Sequence, residues 1–145
     1  MEARVMEILD NSGWYEGRKI DVDYMLEDLE GRGFKITNPR IVDLLKEFWN
    51  LILEFETPTK DKVSNIRLNI DAGSDYLKEE FKKLSELLQE DLIPVGSIHE
   101  ESALLLVSNS EKFYMMGEGR FYQISTSFQE MLSVIINEKD VLRIV

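Results

Sequence analysis

Five carboxylates fall within ten residues, Asp21, Asp23, Glu27, Asp28 and Glu30, with no lysine or arginine among them. In a helix, negative charge is favoured near the N-terminus, where Asp21 and Asp23 fall. Each of Glu27, Asp28 and Glu30 at the C-terminal turn instead costs roughly 0.3–1 kcal/mol. Asp23 with Glu27, and Glu27 with Glu30, add like-charge repulsion at helical spacing, relieved only where Asp28 reaches Arg32 at i+4. Stability alone would place lysines there. Such a charge run is either a merely solvated face or a docking surface for a basic protein. Asp23, Glu27 and Glu30 are the candidate contacts of the second case. Glu100, Glu101 and Glu118 fall in short polar breaks further along and are candidates to extend that surface.

Other chemistries are poorly supplied. His99 is the single histidine and no strained Gly-x-Ser-x-Gly turn is present, so a hydrolytic triad has no base to draw on. A lone histidine in a polar stretch reads as a surface residue, although Glu100 or Glu101 beside it would allow acid–base work. Asp21-Val22-Asp23 begins like a calcium loop but sets Met25 and Leu26 where an oxygen ligand and the turn glycine belong. Gly117-Glu118-Gly119 lacks the third glycine and the following helix of a phosphate cradle, and reads as a turn. A carboxylate pair for glycoside hydrolysis is defined only by separation in space, which spacing along the chain does not fix. No catalytic, cofactor-binding or metal-ligating residue is therefore assigned, and no cofactor is expected.

Twenty-eight acids against seventeen bases leave a formal charge of −11 over 145 residues. Adjacent bases occur only at Arg18-Lys19 and Lys82-Lys83, which argues against a nucleic-acid partner. Absence of cysteine excludes disulfides and thiolate metal sites. The stretch from Met1 to Asp10 carries Glu2, Arg4, Glu7 and Asp10 where an export signal needs an apolar run. The longest aliphatic run, Ala103 to Val107, is far short of the roughly twenty residues that cross a membrane. A cytoplasmic protein of one domain, residues 1–145, is the expectation.

The elements that would position these residues follow from periodicity. Val5, Ile8 and Leu9 predict a short helix stopped at Asn11-Ser12-Gly13, with Trp14 folding back. Asp21 caps a second helix buried through Val22, Met25, Leu26 and Leu29 and ended by Gly31 and Gly33. Asn38-Pro39 starts a third through Ile41, Leu44, Leu45, Phe48 and Trp49. Leu51, Leu53 and Phe55, then Ile66, Leu68 and Ile70, alternate as strands on either side of a Thr57–Lys62 loop. Ser74 or Asp75 opens a helix presenting Leu77, Phe81, Leu84, Leu87 and Leu88. The segments 92–98, 103–107, 112–116 and 120–124 predict an antiparallel meander. Thr126 with Gln129, or Ser127 with Glu130, caps a last helix through Phe128, Met131, Leu132, Ile135 and Ile136. Val141–Val145 is either a further strand or a loose end. The sum is an α+β domain: a mostly antiparallel sheet of about five to six strands, helices packed on one face and the other partly open.

In this order the landmarks are similar to the third family of SUKH-superfamily immunity proteins, the antidotes of bacterial polymorphic and contact-dependent toxin systems. The resemblance covers most of the chain. It rests on Ser12-Gly13-Trp14, Arg18-Lys19-Ile20-Asp21, the Gly33 bend before the Asn38-Pro39 helix ending in Phe48-Trp49, Leu92-Ile93-Pro94-Val95-Gly96, and Gly119-Arg120-Phe121-Tyr122. It implies a SUKH-like fold in which Trp14, Pro94, Gly96, Gly119 and Tyr122 are scaffold. It implies no enzyme but a binding protein, monomeric before complex formation, whose partner is one cognate toxin; the acidity points to a basic, nuclease-type domain. The apolar tail Val141-Leu142-Arg143-Ile144-Val145 departs from that pattern. Two other classes stay open at this point, an intracellular regulatory scaffold and a small carboxylate-based hydrolase.

Overall fold

The computed structural model describes residues 1–59, 62–69, 76, 78–100 and 102–145. Three helices lead the chain, α1 (Ala3–Asn11), α2 (Asp23–Gly31) and α3 (Pro39–Phe48). Strands β1 (Ile52–Glu56) and β2 (Val63–Arg67) follow, then a 3-10 turn (Lys78–Phe81) running into α4 (Lys82–Leu88). The meander β3 (Leu92–Ile98), β4 (Ala103–Ser108), β5 (Phe113–Gly117) and β6 (Arg120–Ser125) leads to α5 (Phe128–Ile136) and β7 (Leu142–Arg143). Among the described residues the sheet has seven strands in strict chain order, each antiparallel to its neighbour. The count exceeds expectation because the tail pairs with β6, through Tyr122–Arg143 and Gln123–Leu142. Five residues are too few for alternation to separate a strand from a loose end.

Local chemistry sets the helix ends. The Asn38 side chain accepts the Arg40 N–H at 3.0 Å with Pro39 in the first helical position, and the Ser127 hydroxyl accepts from Glu130 N–H at 3.2 Å. Asp21, expected as the cap, stands one residue early: Val22 occupies the N-cap of α2 without a side-chain bond, and Asp21 instead accepts the Asp23 N–H at 2.9 Å in a turn just before the helix. Four helices stop in the same reversal, with a left-handed residue just past the end and the following N–H returned to the last turn: Trp14 to Leu9, Phe34 to Leu29, Glu90 to Ser85 and Lys139 to Val134. Glycine fills the left-handed place at Gly13 and Gly33, but Gln89 and Glu138 fill it in α4 and α5. Arg18 donates to the carbonyls of Glu47 and Trp49 (2.8 Å to the latter), closing the C-terminal end of α3 with a cation.

β1 shows the predicted alternation, Leu53 and Phe55 buried and Ile52, Glu54 and Glu56 exposed. The centre differs from expectation. Every residue of β3, and of β4 from Leu104 to Ser108, is buried, so both sheet faces are covered there. Phe113 meets Phe128 of α5 at 5.9 Å between ring centroids, and Phe128 meets Phe48 of α3 at 4.3 Å. Tyr114, next along β5, turns the opposite way. Its hydroxyl is 3.4 Å from Glu90, just beyond α4, and burial, then the Glu90 charge, push the phenol up to about 12. The second cover includes Phe81, buried against Phe34 and Tyr76. Leu84 and Leu88 pack there partly, whereas Leu87, expected in the same stripe, is exposed. Ile70, the Ser74 or Asp75 opening and Leu77 lie outside the described residues.

Candidate functional site

α2 is short, and its orientation is fixed by three buried side chains, Val22, Met25 and Leu29. Turning these inward leaves Asp23, Tyr24, Glu27 and Glu30 exposed. Asp28 is withdrawn from the acidic face: its Oδ2 accepts from Arg32 Nη2 at 2.7 Å and Nε at 3.1 Å, the i+4 pair the spacing anticipates. The carboxylates of Asp23, Glu27 and Glu30 make no hydrogen bond or ion pair with described residues, and no basic residue sits in the last turn. Tyr24 stands 77% exposed in their midst. It was not among the sequence candidates, yet the signal is in the spacing, since Tyr24 falls off the Val22–Met25–Leu29 stripe.

Glu100 and Glu118 are exposed in the β3–β4 and β5–β6 turns, which share one end of the sheet. Both hold left-handed backbone, φ 56° and 52°, a region in which glutamate has no special ease. Glu118 and Gly119 are the two central residues of a tight turn closed by the Gly117–Arg120 pair, as expected of Gly119. Glu101 lies outside the described residues. At the opposite end, Asn109 of the β4–β5 turn holds the segment leaving α2: its Oδ1 accepts from Thr37 and Asn38 N–H at 2.8 and 3.3 Å, and its Nδ2 donates to the Lys35 carbonyl at 3.1 Å. The turn acids and the exit of α2 are thus anchored at opposite ends of the sheet.

His99 is half-buried, not a plain surface residue. Its Nδ1 lies 2.8 Å from the Ser64 hydroxyl. Asn65 accepts the His99 N–H on its carbonyl at 2.9 Å and the Glu100 N–H on its side chain at 3.1 Å. Ser64 and Asn65 are both buried, so this knot ties the β3–β4 turn to β2 and fixes the direction of Glu100. A groove of about 470 Å³ opens beside it, lined in part by Ser64, His99, Glu100, Glu138 and Lys139.

Among the described residues, no group of three His, Cys, Asp or Glu is arranged to hold a metal ion, and no helix is long and apolar enough to cross a membrane. The family model of the SUKH-3 immunity protein matches residues 1–138. The chain belongs to that family. It is an immunity protein of the SUKH superfamily, whose members are not in general enzymes. Neither a search of curated proteins nor one of solved structures finds a match. The scaffold positions suit their places in the immunity protein. Trp14 stacks on Phe48 at 6.3 Å, and Gly96 closes a β-bulge with Pro94. Among the described residues β2 pairs with β3 through Ile66–Ile98 and Arg67–Ser97, and Pro94, which lacks an N–H to give, stands beyond those pairs.

Proposed function

We propose that this immunity protein neutralises a cognate bacterial toxin by occupancy. The acidic face of α2 would dock on a basic cleft, of a nuclease-type domain, whose lysines and arginines otherwise grip phosphate. The observation that carries this is the exposed trio Asp23, Glu27 and Glu30, unpaired with described residues although Asp28 beside it is tied to Arg32. A face kept only for solubility would gain from lysines in its last turn, and this one has none. The family match supports an immunity role, and the net charge of −11 supports a basic partner. Complementary charge accelerates encounter and fixes orientation. Glu100, Glu101 and Glu118 would supply a second contact at the turn end of the sheet, and the protein would act in the cytoplasm, as a monomer until it meets the toxin.

The test is the association rate with the cognate toxin, at low and high salt. Changing Asp23, Glu27 and Glu30 together to lysine is expected to slow association by about an order of magnitude or more at low ionic strength. An unchanged rate with the fold intact takes α2 out of the interface.

A further inference from the structure

Sheet edges present unpaired N–H and C=O groups that recruit another strand. β1, at one edge of this sheet, and β6, next to the other, are guarded differently. β1 carries exposed Glu54 and Glu56 and is followed by Pro58. β6 has no charge after Arg120, and Phe121, Tyr122 and Ile124 are strong strand formers. Within residues 1–138, the stretch the family model matches, β6 is the last strand. What covers its edge is the segment 139–145, outside that match.

The cover is thin and held at few points. β7 is two residues long, both exposed. Phe121 N–H donates to the Val145 carbonyl at 3.1 Å and Ile144 N–H to the Phe121 carbonyl at 2.8 Å, while Val141 and Ile144 pack partly on the core. Before the strand stands a latch. Glu138 turns the chain in left-handed conformation, and its carboxylate accepts the Thr59 hydroxyl. Lys139 Nζ donates to Ser133 Oγ at 2.8 Å and reaches Glu2 at 3.4 Å, and Glu2 also accepts from Ser133 and Asn137 at 2.7 and 2.9 Å.

We propose that residues 139–145 are a latched strap that closes the β6 edge against strand addition by a second copy of this chain. A second copy is the fitting occupant because an antiparallel strand pairs with its own two-fold mate, so one exposed β6 edge is self-complementary. The charge that blunts β1 is absent from β6 after Arg120, and the strap takes its place.

The full-length chain tests this by amide exchange and sedimentation equilibrium. Lys139→Glu sets a carboxylate against Glu2, and Ile144→Pro removes the N–H given to Phe121. In solutions dilute enough to hold single chains, where the exchange is read, either is expected to raise exchange at the Phe121 amide about tenfold or more while Leu105, in β4, stays protected. The mass should then climb with concentration from 16.9 kDa toward about twice that value. Adding Gln123→Lys, a charge on the opened edge, should return the monomer. If Lys139→Glu loosens the whole sheet, Ile144→Pro decides. Fast exchange at Phe121 with the mass still that of one chain would overturn the proposal, as would an Ile144→Pro variant whose Phe121 amide stays as slow as in the parent.

Discussion

Gly96 and Arg67 are in a contact that no side chain can enter: a Cβ built on Gly96 would stand 2.0 Å from the Arg67 carbonyl oxygen. The contact sits at the bulge that makes Val95 an extra residue on β3, where β2 crosses closely over it. Because the neighbour is backbone, it has no rotamer to give. Gly96→Ala is expected to cost about 3 kcal/mol, read as a lowered urea midpoint. Gly31→Ala is the control, since its Cβ would meet nothing within 4 Å and φ is not positive; it should leave stability unchanged or raise it by up to about 1 kcal/mol.

Among the described residues without glycine's freedom that hold left-handed backbone are Gln89 and Glu138 past helices and Glu100 and Glu118 in hairpins. Glycine at Gln89, Glu100 or Glu118 is expected to add about 0.5–1 kcal/mol, seen as a higher Tm, whereas at Glu138 the gain is offset by loss of the bond to Thr59. The pairs should separate in function. Gln89→Gly should raise Tm and leave toxin association alone, whereas Glu100→Gly and Glu118→Gly should raise Tm and slow association. Association unmoved by either turn variant would restrict the interface to α2.

Most of this architecture is legible in the residues, for reasons visible at particular places. Asn38-Pro39 and Ser127 with Glu130 are local signals, and each forms its cap within three residues. β1 and the meander are legible because alternation and turn residues agree. What escapes is set by contacts between distant segments. The second cover of the sheet includes Phe81 reaching Phe34, and β7 forms where the tail meets the distant β6 backbone at Phe121, Tyr122 and Gln123. For the candidate site, composition and spacing single out α2, and the Asp28–Arg32 pair follows from i+4 spacing. Nothing along the chain reveals that Glu100 and Glu118 sit at the end of the sheet opposite the exit of α2, since strand order and turn geometry decide it.

Acid should reveal the Glu2 latch. The Ser133 hydroxyl first, then Asn137 and Lys139, hold the Glu2 carboxyl below its ordinary value of 4.5. A depressed folded pKa means the unfolded chain binds the proton first, so the contribution is complete above 4.5 and fades as pH falls through the lowered folded value. Denaturation of the parent and of Glu2→Gln is therefore expected to differ at neutral pH and to converge in acid below that value. A difference that persists undiminished in strong acid would mean that Glu2 acts by packing and not by charge.

Tyr24 divides affinity from encounter in the proposed complex. Carboxylates around it act at long range and are weakened by salt, whereas an aromatic ring contributes only when buried against the partner or stacked on a guanidinium. Truncation is also safe for the fold, because the ring is 77% exposed and off the buried stripe. Tyr24→Ala is thus expected to leave Tm and the association rate nearly unchanged and to raise the dissociation rate about tenfold or more, with Tyr24→Phe close to the parent. The lysine triple variant should do the reverse, slowing association chiefly at low salt. Should Tyr24→Ala dissociate at the parental rate from a complex that still forms, the acidic face would be steering the toxin toward a contact made elsewhere. The turn-end surface at Glu100 and Glu118 would then be the place to look.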